Sequence, residues 1–246
     1  MPASGLDDAG GGLADTRFLR SWLQGAMLRV RRKATVDLTS AWADVMFPYE
    51  RWQRTHCGSA SQTPFTVLFE ALQKWVGEGR IAIGHLALND DVRPLPWARI
   101  FRAPQRRAPA WDEQWLVYNQ GHGSEDRIYT GGGHYITPQF VRRSGWVPRG
   151  LVYAHSCSTL GGPAPMAEAF LDDGADAYVG WKGSTCAHPD YCDRLDGRFF
   201  EALFHGATTG DAYIQAAEAE DAEAYEDANV ALVTRTDGGR RPFPSP

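Results

Sequence analysis

"GLVYAHSCSTLGGPAPMAEAFLDDGADAYVGW", residues 150–181, runs through an apolar segment, a turn, a helical segment and a second apolar segment without a break. The opening "GLVYAHS" has the β-branched and aromatic content of a buried strand. "APMAEAFLDDG" then places Met166, Ala169 and Phe170 on one helical face, and Gly174 closes the helix. "ADAYVGW" reads as a strand again. Strand, helix and strand at this spacing form a βαβ unit. Strands that are continuously apolar, rather than alternating, belong to a parallel sheet covered on both faces.

The same alternation extends outward. Upstream, "TPQFVRRSG" predicts a short helix with Thr137 as N-cap, Pro138 in the first turn and Gly145 beyond its end. "WLVYN", from Trp115, and "RIAIGHLAL" predict strands. "FTVLFEALQKWVGEG" predicts a helix with Phe65, Leu68, Phe69, Leu72 and Val76 on one face, and "FLRSWLQGAMLRV" another. "TVDLTSAWADVMFPYERW" has no single period and reads as mixed. Asn89 to Pro109 reads as a long loop or a pair of short strands. Downstream, "DRLDGRFFEALFHG" predicts a helix ended by Gly206. "TTGDAYIQAAEAEDAEAYED" predicts another, begun at Thr208 or Thr209, and "NVALVT" a last strand. The expectation is an α/β fold. Residues 1–14 form a disordered lead-in, 15–80 a largely helical part packed on the core, and 81–246 the core itself.

Composition narrows the function. The chain has 246 residues, 43% hydrophobic and 22% charged, with a net charge of −5. That is the balance of a soluble globular protein with no electrostatic footprint for nucleic acid. The basic run "RVRRK", Arg29 to Lys33, is short and reads as a solvated surface. No stretch approaches the roughly 18 apolar residues of a membrane span, so no membrane partner is expected. The N-terminus "MPASGLDDAGGGLADTR" is acidic and glycine-rich, the reverse of a signal peptide, which makes the cytoplasm the expected location. Four cysteines in a chain of this size do not make a disulfide scaffold.

Two of the predicted strands end in reactive side chains: "WLVYNQGHGS" carries His122 and "LVYAHSCST" carries Cys157. Chemistry in an open parallel sheet gathers at the carboxyl ends of the strands. Taken singly, His122 reads as a turn histidine between glycines and Cys157 as a small buried residue. Taken together, they read as an imidazole and a thiol facing each other across adjacent strands about 4.8 Å apart. A free thiol of pKa about 8.5 is a few per cent ionised at neutral pH, so a neighbouring base is what makes it a useful nucleophile. Gly121 permits the turn that presents His122. Gly123 leaves its backbone N–H open to a developing oxyanion.

An apolar strand ending in His-Gly, a spacer, and an apolar strand ending in a small residue and Cys resembles the caspase-like cysteine peptidases (clan CD). The surroundings of the cysteine are most similar to the gingipain-like and CHAT-type branches. "SCSTLGGPAPMAEAFLDDGADAYVGWKGST" and "FFEALFHGATTGDAYIQAA" carry that likeness, which covers about Trp115 to Val233. The resemblance implies a caspase-like three-layer sandwich, a mostly parallel sheet with helices on both faces. It also implies a cysteine endopeptidase acting through an acyl-enzyme on a protein or peptide substrate. His122 would be the general base and acid and Cys157 the nucleophile. The backbone N–H groups of Gly123 and Cys157 would form the oxyanion hole.

The sequence departs from that family at several points. Metacaspases carry an acidic residue two before the cysteine, where it binds a basic P1 side chain; here that position is His155. The N-terminal part has no obvious first strand ending in aspartate, unless "TVDLTSAWADV" hides one. The alternative function is accordingly a catalytically weak or inactive caspase-like signalling module that works with a regulatory protein partner.

His155, Asp126, Trp181 and Asp190 are the candidates for a pocket beside the thiol, with Glu125 and Asp193 as further acidic groups. Cys186, His188, Asp190 and Cys192 are spaced closely enough to suggest zinc, but no second CxxC pair accompanies them, and neither metal nor cofactor is expected. His134 sits on a glycine-rich loop with no phosphate-loop lysine behind it, so no nucleotide site is expected there. No G-x-S-x-G elbow supports a serine hydrolase.

Overall fold

The structure, a computed structural model, describes residues 41–47, 81–88, 115–130, 134–144, 150–185, 189–221 and 230–234. All of them fall within one compact unit, Thr39–Pro246.

The fold is α/β. Six strands form one sheet: β1 (Ala41–Phe47), β2 (Ile81–Leu88), β3 (Trp115–Gln120), β7 (Gly150–His155), β8 (Ala177–Trp181) and β9 (Val230–Thr234). Their spatial order is β2-β1-β3-β7-β8-β9. All neighbours pair parallel except β8 and β9, which are antiparallel. Three short strands, β4 (Gly123–Ser124), β5 (Arg127–Tyr129) and β6 (Tyr135–Ile136), make a separate antiparallel sheet directly after β3. The helices are α1 (Pro138–Ser144), α2 (Pro165–Asp172), α3 (Pro189–Phe204) and α4 (Thr209–Ala219).

The capping signals act as the sequence predicts. The Thr137 hydroxyl accepts a hydrogen bond from the Phe140 N–H at 3.2 Å at the start of α1. The Thr208 hydroxyl accepts from the Asp211 N–H at 3.1 Å at the start of α4. Gly174 and Gly206 take the positive φ values of 133° and 89° that follow α2 and α3. Met166, Ala169 and Phe170 of α2 are fully buried.

The expected division at residue 81 is corrected. β1, at Ala41–Phe47, lies between β2 and β3, so the sheet begins well before that point and the stretch 15–80 contributes a strand to it. "AWADVMF" alternates too weakly to declare itself, but β2 and β3 hold it on both edges. The stretch read as mixed thus contains a strand, which continues past Asp44, paired in register with Val117, and ends at Phe47. β3 begins in the described residues at Trp115, and 18–30, 65–79 and 89–109 lie outside them, with the helices and loop anticipated there.

The antiparallel β9 follows from connectivity. Two helices, α3 and α4, separate β8 from β9, joined by a short connection that sets them as antiparallel neighbours. Two traversals return the chain to the end where β8 finished, and the next strand must run back.

Alternation divides β3 and β7 between two faces. Val117, Val152 and Ala154 join one apolar cluster with Met166, Ala169 and Phe170 of α2. Tyr118 and Tyr153, their neighbours in sequence, point the other way and stack with ring centroids 5.7 Å apart. There they meet α3: Phe199 and Phe200 lie 5.1 and 4.9 Å from the Tyr153 ring. Helices thus pack on both faces of the central strands.

Candidate active site

β3 and β7 are parallel and in register to their ends, where Gln120 pairs with His155. The Gly121 N–H donates to the His155 carbonyl at 3.1 Å, so the two chains are still tied one residue further on. His122 and Cys157 each lie two residues past the last pair. They occupy matching positions beyond the ends of two adjacent parallel strands.

Three features bring the His122 turn against the cysteine turn. The Tyr129 N–H donates to the His122 carbonyl at 2.9 Å, which makes His122 and Tyr129 a hydrogen-bonded pair of the hairpin. Gly123 and Ile128, the next pair, are then of the opposite kind, and the Gly123 N–H is directed away from β5. A side chain on Gly123 would meet Thr159 Cγ2 at 2.7 Å and the Cys157 carbonyl and Ser156 Cβ at 2.8 Å. Only glycine permits this approach. The Asn119 amide, near the end of β3, donates to the Ser156 hydroxyl at 3.3 Å, pinning the residue before the cysteine from the opposite face.

The turn carrying Cys157 is strained. Ser158 sits at φ 56°, a left-handed conformation that costs a residue with a Cβ about 1–2 kcal/mol. Its N–H donates to the Gly183 carbonyl at 2.8 Å, and the Thr159 hydroxyl donates to the Ser156 carbonyl at 3.1 Å. These bonds hold the turn in place. Cys157 is half-buried, with Sγ 3.3 Å from Thr185 Oγ1 and 3.6 Å from Ser184 Oγ. Hydroxyls at that range can donate to a thiolate and favour the ionised sulfur. The thiol is thereby placed between the end of β3 and the loop after β8.

At the ends of β3, β7 and β8 lie Gln120, His155 and Trp181, all buried. The His155 and Trp181 rings meet edge to face at 5.5 Å. His155 Nδ1 is 2.7 Å from Asp196 Oδ2, on α3, and facing a carboxylate it is the protonated nitrogen. The Tyr153 hydroxyl donates to the other oxygen of Asp196. Asp196 is completely buried, and the His155 side chain only 7% exposed. Burial by itself pushes the His155 imidazole down, but the charge and hydrogen bond of Asp196, with Asp193 and Cys157, outweigh it and hold the ring above its ordinary 6.5. Burial and the Asp196 charge raise the Tyr118 and Tyr153 hydroxyls. The Cys192 thiol is likewise pushed up, by burial first and then by Asp196 and Asp193.

Of the anticipated pocket residues, His155 and Trp181 are brought together. Asp126 is not. It lies exposed in the β4–β5 turn, bound to Arg127 at 2.7 and 2.8 Å and to Ser124 at 3.0 Å. The hydrogen bond from Arg127 holds its carboxyl down at about 2, so its charge is already engaged there. Glu125 lies along the Gly161–Gly162 backbone, where a Cβ on Gly162 would meet Oε2 at 2.8 Å. The side chain of Asp190 lies outside the described residues, as do Cys186 and His188. Cys192 is buried against the sheet. His134 is exposed in the connection between β5 and β6.

Sequence reasoning missed Asp196, Asn119, Ser184 and Thr185. Asp196 left a signal: it shares the helical stripe of Cys192, Phe199, Phe200 and Leu203, and a carboxylate on an apolar stripe requires a buried partner. A comparison with protein-family models finds no match for this chain, and a comparison with curated proteins finds none.

Proposed function

We propose that this chain is a cysteine endopeptidase of caspase-like type, with the sandwich of sheet and helices that the name implies. The observation that carries the reading is the equivalence of His122 and Cys157. Each lies two residues beyond the Gln120–His155 pair of adjacent parallel strands, with the Gly123 backbone pressed against the cysteine turn. The mostly parallel sheet, the helices on both of its faces and the placement of the thiol at a strand's carboxyl end support it.

In the reaction, His122 accepts the Cys157 proton and the thiolate attacks the scissile carbonyl carbon. The negative charge moves to the carbonyl oxygen, which takes hydrogen bonds from the N–H groups of Gly123 and Cys157. Donors so placed are worth about 10²–10³ in rate each. As the C–N bond breaks, the imidazolium returns its proton to the leaving amine. Water then attacks the thioester with His122 as base, releasing the acid and restoring the thiol.

The test is cleavage of a peptide library together with labelling by an acyloxymethyl-ketone probe. Cys157→Ala is expected to abolish both. His122→Ala is expected to lower turnover by about 10²–10⁴-fold, the usual worth of a general base. Labelling that survives Cys157→Ala, or a folded wild-type chain that cleaves nothing under any condition, overturns the reading. The second outcome favours the inactive signalling module.

A further inference from the structure

We propose that His155 and Asp196 form a positioning pair that keeps a positive charge near Cys157 and so eases the ionisation of its thiol. The proposal rests on reading Cys157 as the nucleophile. It assigns the charge on the sulfur to a second histidine, distinct from the one that shuttles the proton.

His155 closes β7, and Cys157 lies two residues on, in the turn that follows, with Ser156 between them held by Asn119 at 3.3 Å. The ring and the thiol are near enough to act on each other electrostatically. The imidazole is fixed on two sides. Nδ1 is committed to Asp196 at 2.7 Å, and the ring edge meets Trp181 at 5.5 Å. Both oxygens of Asp196 are engaged, one by His155 and one by the Tyr153 hydroxyl. The carboxylate is thereby anchored at the level of Tyr153 and His155 and is not free to swing toward the sulfur.

The groups around the ring agree. From α3 come Asp196, Asp193 and Cys192; from β7 comes Tyr153; from β3, Tyr118; and beyond β7, Cys157. Burial keeps the two tyrosines and Cys192 protonated, so they add no charge beside His155. An opposite charge within about 4–6 Å lowers the pKa of an acid by about 1–3 units, and the partly compensating carboxylates place the expected effect at the low end.

The experiment is the pH dependence of iodoacetamide alkylation at Cys157 in the full chain, read by mass spectrometry of the Cys157 peptide. In Asp196→Asn, His155 stays buried without its counter-charge, and burial then favours the neutral ring. The alkylation midpoint is expected to rise by about one pH unit, so that alkylation below the midpoint slows about tenfold while the alkaline plateau is unchanged. A purely structural carboxylate predicts no shift, and a carboxylate acting only as a nearby negative charge predicts a fall, since its removal eases ionisation of the thiol. Either result overturns the proposal. His155→Gln is expected to raise the midpoint at least as far. If a single variant does not fold, the double variant His155→Gln with Asp196→Asn exchanges the ion pair for a hydrogen-bonded amide pair, and an unshifted midpoint there overturns the proposal. The two readings fail separately. A shifted midpoint in a chain that cleaves no peptide removes the peptidase but keeps the pair. Normal cleavage with an unshifted midpoint does the reverse.

Discussion

The two faces of β7 are made by one strand of six residues, yet they are built on different terms. Val152 and Ala154 enter an apolar cluster with α2. Tyr153 and His155 enter a layer with α3 that holds a buried carboxylate, an imidazole, two tyrosine hydroxyls and a thiol. The first face is what burial alone selects. The second is not: replacing a buried ion pair by well-packed apolar residues is often neutral or stabilising by about 1–4 kcal/mol. The buried ion pair of His155 and Asp196 is thus confined to the α3 side of β7, at the end of the strand that leads to Cys157.

That contrast can be broken by mutation on both sides. Asp196→Ala strands His155 and Tyr153, and breaking a buried pair in this way costs about 3–5 kcal/mol. Phe170→Ala, on the α2 face, empties a packed ring site at a similar cost of about 3–5 kcal/mol. Urea unfolding at one pH will not separate them. A pH series will. With the folded-state value of His155 raised above the 6.5 of the free ring, the folded protein holds that proton more tightly than the unfolded chain. Its stabilisation is fully present below about 6.5 and is lost as the pH climbs through the raised value. Phe170→Ala is expected to keep this loss of stability as the pH rises beyond about 6.5, and Asp196→Ala to abolish it. A pH profile unchanged by Asp196→Ala would mean that the two faces do not differ in the way described.

The next effect is on rate. Gly123→Ala places a methyl group 2.7–2.8 Å from Thr159 Cγ2, the Cys157 carbonyl and Ser156 Cβ, two of them parts of the turn that carries the thiol. The His122 turn must then withdraw from the cysteine. A displacement of about 1 Å costs on the order of 10²-fold in kcat/KM. Because the clash lies at the edge of the fold and not in the α2 cluster, the unfolding midpoint is expected to fall less than for Phe170→Ala. Full activity in Gly123→Ala would show that the close approach serves packing alone.

How much of this was legible follows the same division. The α2 face was readable because its signals are local: Met166, Ala169 and Phe170 repeat at helical spacing, Thr137 and Thr208 cap, and Gly174 and Gly206 stop. The ends of β3 and β7 were readable because each apolar run stops at a polar turn. The α3 face was only half readable. Asp196 joins Tyr153 and His155 across more than forty positions, and no local period marks such a partner. Its single trace was a charge on an apolar stripe. Asp126 was misassigned for the converse reason: its partners, Arg127 and Ser124, are immediate neighbours, and a turn that satisfies its own carboxylate has none to offer a pocket. β1 was obscured because "AWADVMF" is made a strand by its two neighbours more than by its own pattern.

The smallest expected effect compares two strained residues at the two ends of one connection. Ser158 and Ala164 both adopt left-handed φ, 56° and 52°, one in the turn after Cys157 and the other at the N-cap of α2. Glycine relieves the Cβ crowding, worth about 1–2 kcal/mol, while its greater freedom in the unfolded chain returns about 0.5–1 kcal/mol. Each substitution to glycine is therefore expected to stabilise by about 0.5–1 kcal/mol in urea. Their effects on function should part. Ala164→Gly relaxes a helix start that faces no reacting group and should leave kcat unchanged. Ser158→Gly loosens the turn on which the sulfur is held, and a several-fold fall in kcat with KM unchanged is expected, since orientation of the nucleophile matters more in the transition state than in substrate binding. Equal kinetics in the two variants would make the strain at Ser158 a property of the connection and not of the site.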